Sequence, residues 1–305
     1  MLLAKVFTQV LLPILVMFGC GWLLDRRSRL DLGTLVKLNI YVFVPAFMFV
    51  HVVSSDLAGE KAARVVGCTV AVIASMFFLA ALIGRLVGYD KPHTRALQLA
   101  AMFYNSGNYG IPLMALAFPG AGPVLQVFIV LTQNVASFTI GLALAASTHQ
   151  SGWRAFLPAL RQISLWAVAA ALLVRWLHLP VQNVRWLWVP LTYFSDALVA
   201  VALVTLGVQL SQTPARQSIS RLGWALGLRL LVAPLLAVGL VPLFGFRGED
   251  ATIMIVSASF PTAVNTALLA HEFNADSQFA AAAVFYSTLV SMLTVTALIA
   301  LLHGA

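Results

Sequence analysis

Charge is what this sequence has least of. Only 9% of its 305 residues are Asp, Glu, Lys or Arg, against about 25% in a soluble domain. Another 61% are hydrophobic. So few charges cannot cover a water-facing surface, which excludes a soluble enzyme or binding module and leaves hydrocarbon as the main solvent. Cysteine is scarce too: Cys20 and Cys68 both lie in apolar segments, without a disulfide framework or metal-ligand spacing. Catalytic signatures are missing. His271-Glu272 lacks the second histidine of a zinc helix, no G-x-S-x-G elbow occurs, and no Walker lysine motif supports direct drive by nucleotide. No motif asks for a cofactor or a metal. The net charge of +8 would suggest nucleic acid in a soluble chain; here it reads as basic loops that orient helices, and no nucleic-acid partner is expected.

What is present is a series of apolar runs of membrane length. A spanning helix needs about 20 residues, and the runs at 6–24, 33–53, 64–86, 94–118, 123–147, 157–177, 190–210, 219–244, 250–271 and 277–302 predict ten spans. The first run contains Pro13 and leads into Arg-rich sequence, so it is not expected to be a cleaved signal. Links 1–2, 3–4, 5–6, 7–8 and 9–10 hold ten Lys and Arg residues, against six on the opposite side. This bias predicts those links in the cytoplasm and both termini outside. Lys37 lies one turn into span 2 and is expected to reach the cytoplasmic surface. The tryptophans near span ends, Trp176, Trp186 and Trp188, read as an interfacial belt.

The chain is organised around Asn105-Ser-Gly-Asn-Tyr-Gly-Ile-Pro-Leu113, inside span 4. Its glycines and proline are expected to interrupt the helical hydrogen-bond ladder. Open backbone cannot face lipid, so the break must be buried in protein or line a cavity. A second interruption, Ser257-Ala-Ser-Phe-Pro-Thr-Ala-Val-Asn265, falls in span 9. Aligned on Pro112 and Pro261, the chain divides into five spans at 1–147, a short link at 148–156 and five spans at 157–305. Five is odd, so the second set enters from the other face, an inverted repeat. The fold class expected is all-α integral membrane, with broken, crossing helices in spans 4 and 9. New half-helices are expected after Pro112 and after Pro261, their free amides and positive dipole ends pointing into the crossing.

The Asn-x-Gly-Asn-x-Gly-x-Pro pattern of Asn105 to Pro112, the ten spans and the prolines of spans 4 and 9 resemble the auxin efflux carrier family over the whole chain. That family includes plant auxin exporters and bacterial members linked to malonate and other organic acids. The resemblance implies a fold like that of bile-acid/sodium symporters, in a bacterial plasma membrane. It also implies a scaffold of helices 1, 2, 6 and 7 that dimerises, and a moving bundle of helices 3–5 and 8–10. The long loop of plant members is missing here. An asparagine of helix 5 lines the pocket by the same resemblance, which singles out Asn134 beside Gln133.

Opposed half-helix ends near the midplane make an anion site. Asn105, Asn108, Thr262 and Asn265 are candidates to hydrogen-bond a carboxylate, with Gly110, Pro112 and Pro261 shaping the break; the alternative is that they only satisfy freed backbone. Asn39 and the Pro45–Phe49 stretch are candidate pocket walls. Ionisable groups inside spans are functional candidates by default. Asp196 is a candidate charge partner or, if it lies near the interface, simply solvated. Arg229 is deeper, either paired with an acidic side chain or the counter-ion of a carboxylate substrate. His51 and His271 suit proton coupling or are simply interfacial. These readings predict a secondary carrier of a small organic anion, malonate by family resemblance. A sodium- or proton-coupled symporter and a membrane sensor without transport are the alternatives; no convincing sodium cage is visible.

Overall fold

The computed structural model describes residues 7–56, 59–145, 162–213, 222–272 and 275–303. Within them every regular element is a helix. The first are α1 (Phe7–Ser28), α2 (Leu32–Val53), α3 (Gly59–Val87) and α4 (Lys91–Met102). Next come α5 (residues 106–117, a π-turn Ser106–Gly110 continuing as Ile111–Ala117) and α6 (Ala121–Ala145). The later part of the chain adds α7 (Ile163–Trp176), α8 (Arg185–Gln212) and α9 (Gly223–Phe244). It ends with α10 (Gly248–Ala258), α11 (Thr266–Glu272) and α12 (Ser277–His303). Six of these, α1, α2, α3, α8, α9 and α12, are long and apolar enough to cross a membrane, and α6 and α7 contain shorter apolar stretches. The expected link at 148–156 lies outside the described residues. Large apolar side chains such as Leu23, Leu86, Leu235 and Leu293 stand exposed along the helices, a surface suited to hydrocarbon.

Among the described residues four helices carry a π-turn, and a proline follows each one. Phe7–Leu11 precedes Pro13, Asn39–Phe43 precedes Pro45, Ser106–Gly110 precedes Pro112 and Leu228–Val232 precedes Pro234. Proline lacks an N–H, and its ring collides with the carbonyl four residues back; a widened turn moves that carbonyl aside. The helix bends without coming apart.

This corrects the expectation of a half-helix beginning after Pro112, because the helix runs through that proline. The chain is severed earlier, at Phe103-Tyr104-Asn105, between α4 and α5. The second break runs from Ser259 to Asn265, and α11 starts at Thr266 rather than directly after Pro261.

Packing sorts the helices into two sets. α1 lies along α8, α7 along α2, and α8 also on α2. In the other set α3 packs on α4 and α6, α11 on α12, and α12 on α4. The sets meet where α8 touches α5 and where α2 touches α6. Carboxylates cap several helix starts: Asp31 accepts from the Thr34 amide at 2.9 Å, Asp90 from His93 at 2.9 Å and Asp276 from Phe279 at 2.9 Å. In the connection before α2, hydrogen bonds from Thr34 hold the Asp31 carboxyl below the usual carboxylate range.

Candidate functional site

The two severed helices meet each other. Tyr104 and Thr262 form an isolated antiparallel bridge. The Asn105 amide donates to the Pro261 carbonyl at 2.8 Å, and the Ala263 amide to the Phe103 carbonyl at 3.0 Å. Amides freed from one helix are thus satisfied by carbonyls freed from the other, which lets non-helical backbone persist in a buried interior. The bridge sets 104 opposite 262, an offset of 158, whereas the proline alignment of 112 with 261 assumes 149.

Side chains complete the crossing. The Thr262 hydroxyl donates to the Ala100 carbonyl at 2.9 Å, and the Thr262 amide to Ser287 Oγ at 3.0 Å. Gln126, fully buried on α6, bridges both broken helices. Its Nε2 donates to the Ser106 carbonyl at 2.7 Å, and its Oε1 accepts from Ser257 Oγ at 3.0 Å. Arg229, in the π-turn of α9, is wholly buried and donates to the carbonyls of Ala101 and Ala258. Its guanidinium lies 4.9 Å over the Tyr104 ring. Its partners are therefore backbone oxygens and an aromatic face, where the sequence suggested an acidic side chain or a bound carboxylate. Phe260 packs edge-on to Tyr109 at 5.5 Å and Tyr104 at 6.3 Å.

Gly110 is where this packing is tightest. A Cβ there would sit 2.5 Å from Gln126 Nε2 and 2.6 Å from the Phe260 ring. Gly110→Ala is expected to dislodge Gln126 and cost about 1–3 kcal/mol, the ordinary range for overpacking. It should appear as a lowered melting temperature of the purified protein. A variant as stable as the parent would contradict the packing.

Other polar groups at the crossing are unspent. Asn105 is buried, and its Nδ2 has no acceptor among the described residues; the buried Gln133 amide likewise has no partner within hydrogen-bonding geometry among them. Tyr104 presents its hydroxyl toward Gln133 and Thr69. In the first turn of α5, Ser106 and Gly110 donate to Tyr104 and Asn105. Gly107, Asn108 and Tyr109 stand between them in that first turn, where a helix offers its amides no acceptor of its own. Asn108 is half-buried on that turn.

The structure brings Asn105, Gly110, Pro261, Thr262 and Gln133 to the crossing. Pro112 is buried in α5, and Asn134 is half-buried on α6, its carbonyl accepting from Ser137. Asn265 is exposed at the end of the second break, and Asp196 is exposed on α8. His51 is half-buried, its Nδ1 3.0 Å from the Phe47 carbonyl and its ring stacked on Phe47.

Sequence reasoning missed Gln126, Ser257 as its partner, and Ser287. For Gln126 a signal existed: it is a lone amide in an apolar run, two turns before Gln133. On the other set of helices, Asn39 donates to Thr205 Oγ1 at 3.0 Å while its Oδ1 stays unpartnered among the described residues, as does Gln209 Oε1. An apolar cavity of about 380 Å³ lies between α3, α6 and α7, with Thr132 in its wall, and a groove of about 440 Å³ lies between α2, α7 and α8. Neither is lined by the crossing residues.

Apolar helices joined through two severed, buried segments have the build of a membrane transport protein. The chain belongs to the membrane transport protein family, that of the auxin efflux carriers, whose pattern it matches over residues 6–155 and 162–299. It is 28% identical over 291 residues to a protein of Methanothermobacter thermautotrophicus named "Uncharacterized transporter", covering 94% of this chain and 95% of that one. It is 26% identical over 315 residues to the "Putative malonate transporter" of Rhizobium meliloti, covering 97% of this chain and 96% of the relative. Family and relatives point to transport rather than catalysis, in an integral membrane protein.

Proposed function

We propose that this chain is a secondary carrier of small organic anions of the malonate class, working by alternating access at the meeting of its two broken helices. The observation that carries the reading is the Tyr104–Thr262 bridge with an unspent donor beside it, the Asn105 side-chain amide, next to the first turn of α5, where helix amides lack intrahelical acceptors. A helix N-terminus with free amides favours a carboxylate. Asn105 and Asn108 add neutral donors without burying a second charge, and Gln133 extends the set on α6. Thr262 serves chiefly to hold the break, since its hydroxyl and amide are both engaged. The Rhizobium relative, by its name, supports a dicarboxylate.

The architecture proposed is ten spans in two inverted repeats. The positions of the broken elements support it: α4 begins at Lys91 and α10 at Gly248, α6 at Ala121 and α12 at Ser277. The set of α1, α2, α7 and α8 would be the scaffold, paired in a homodimer, and the remaining helices the moving bundle. The basic bias of alternate links supports cytoplasmic odd-to-even links and outward termini in a bacterial plasma membrane. Efflux of an anion down an inside-negative potential is favourable by about 2.3 kcal/mol per charge per 100 mV.

The experiment is a melting assay of the purified protein with malonate, with neutral malonamide as control. Malonate should raise the melting temperature and malonamide should not. Asn105→Ala and Asn108→Ala should each weaken malonate binding at least tenfold, about 1.4 kcal/mol, with helicity unchanged. If both variants respond as the parent does, the anion binds elsewhere. If neither malonate nor another small carboxylate is bound or carried by reconstituted protein, the carrier reading is lost.

A further inference from the structure

We infer that Arg229 is a built-in cation that closes the C-terminal ends of both broken helices, filling by a covalent side chain the place a bound metal ion would take, so that carriage here needs no sodium. The transport consequence rests on the carrier reading above; the placement of the charge does not.

The argument starts from two hydrogen bonds that are missing. In an unbroken helix the Ala101 carbonyl would accept from the Asn105 amide, and the Ala258 carbonyl from the Thr262 amide. Both amides are diverted, Asn105 to the Pro261 carbonyl at 2.8 Å and Thr262 to Ser287 Oγ at 3.0 Å. Two orphaned carbonyls remain, in the last turn of α4 and at the last residue of α10. Each ends a helix whose dipole places roughly half a negative charge there. Two such ends brought together amount to about one unit of negative charge at membrane depth, where no water relieves it.

Arg229 answers both ends with one group. Nη1 donates to Ala101 at 2.6 Å and Nη2 to Ala258, and the side chain is wholly buried. The planar fork reaches two carbonyls on separate helices at once, which a single ammonium does less well. The Tyr104 ring, at the bridge itself, covers the guanidinium face at 4.9 Å. Pro234 fixes where this happens, because Arg229 sits in the π-turn that the proline demands. In carriers with broken helices, half-helix C-terminal ends and unwound carbonyls coordinate the coupling cation. Here those oxygens are occupied and their charge is balanced before substrate arrives. The N-terminal turn of α5 on the other side of the break keeps its positive end for the anion. Arg229 is thus a positioning residue, acting on substrate through the crossing.

The test compares melting temperature in sodium chloride and choline chloride at equal concentration, for the parent, Arg229→Lys and Arg229→Ala. The parent should melt alike in both salts. Arg229→Ala should melt lower by roughly 10 °C, and guanidinium chloride at about 20 mM, far below the molar denaturing range, should recover part of that loss where choline chloride does not. Arg229→Lys, which restores charge without the fork, should lie between. Should Arg229→Ala fail to fold, Arg229→Lys carries the test: a melting temperature below the parent and unchanged by sodium supports the proposal, and parity with the parent overturns it. Sodium-specific stabilisation of the parent, or parent-like melting of Arg229→Ala, also overturns it. Malonate flux in proteoliposomes should be the same when choline replaces sodium. A protein that carries no carboxylate but shows this melting pattern would refute the carrier reading and leave the role of Arg229 standing.

Discussion

Gly207→Ala is expected to force α1 and α8 apart and lower the melting temperature sharply. The two backbones touch through a pair of glycines. A Cβ on Gly207 would fall 2.0 Å from the Phe18 carbonyl oxygen and 2.9 Å from the Trp22 amide nitrogen, and one on Gly21 would fall 2.1 Å from the Val204 carbonyl oxygen. Ordinary C···O approach is about 3.3–3.6 Å, and these neighbours are backbone, so no side-chain rotation gives relief. Small residues at such crossings are how helices approach closely in a membrane, where no hydrophobic effect drives them together. The pair is also pinned at its end, where Gln212 Nε2 donates to Asp25 at 2.7 Å. Overpacking costs about 1–3 kcal/mol and at times more; contact with backbone places this change at the upper end. Gly21→Ala should do the same, and the double variant should lose less than the sum, since one separation accommodates both methyls. Gly19→Ala is the control: its Cβ would meet nothing within 4 Å, so it should be neutral or slightly stabilising. Equal melting of Gly207→Ala and Gly19→Ala would show that the helices do not pack this closely.

How far the crossing could be read in advance depends on whether its cause was local. The Asn105–Leu113 stretch announced a disturbed helix, and a disturbed helix is there. Its composition pointed to Pro112, yet the chain parts at Phe103–Asn105, where nothing in the local sequence breaks a helix. The cause lies 158 residues away, in the strand-like pairing of Tyr104 with Thr262, and no window on one segment contains it. Pro112 instead produces a π-turn, a smaller perturbation that the same residue type produces at Pro13, Pro45 and Pro234. Arg229 is similar. Its depth was legible from its place in an apolar run, but its partners are carbonyls, present at every position of every sequence and exposed only where helices end. Asn39, Asn108 and Arg229 all fall within π-turns, so a polar residue four to six positions before an intramembrane proline was the available signal. The widened turn presents such a side chain away from the helix's own ladder.

The second large effect is expected at Gln126, which ties three elements into one body. From α6 it donates to the Ser106 carbonyl at the start of α5 and accepts from Ser257 near the end of α10. Gln126→Leu keeps the volume and removes both bonds. The Ser106 carbonyl and the Ser257 hydroxyl are then buried without these partners, each at about 1–3 kcal/mol, for a loss of roughly 2–5 kcal/mol. The malonate response should fall with it, because Ser106 opens the turn whose amides face the proposed anion. Ser257→Ala breaks only one of the two bonds and should cost less. Combined with Gln126→Leu it should add little, since the hydroxyl it deletes is already unpaired. That non-additivity distinguishes a bridge from two separate contacts. Full additivity, or a Gln126→Leu protein that melts with the parent and still responds to malonate, would mean that the two broken helices are held together without Gln126, by the Tyr104–Thr262 bridge, the Thr262–Ala100 hydrogen bond and Arg229.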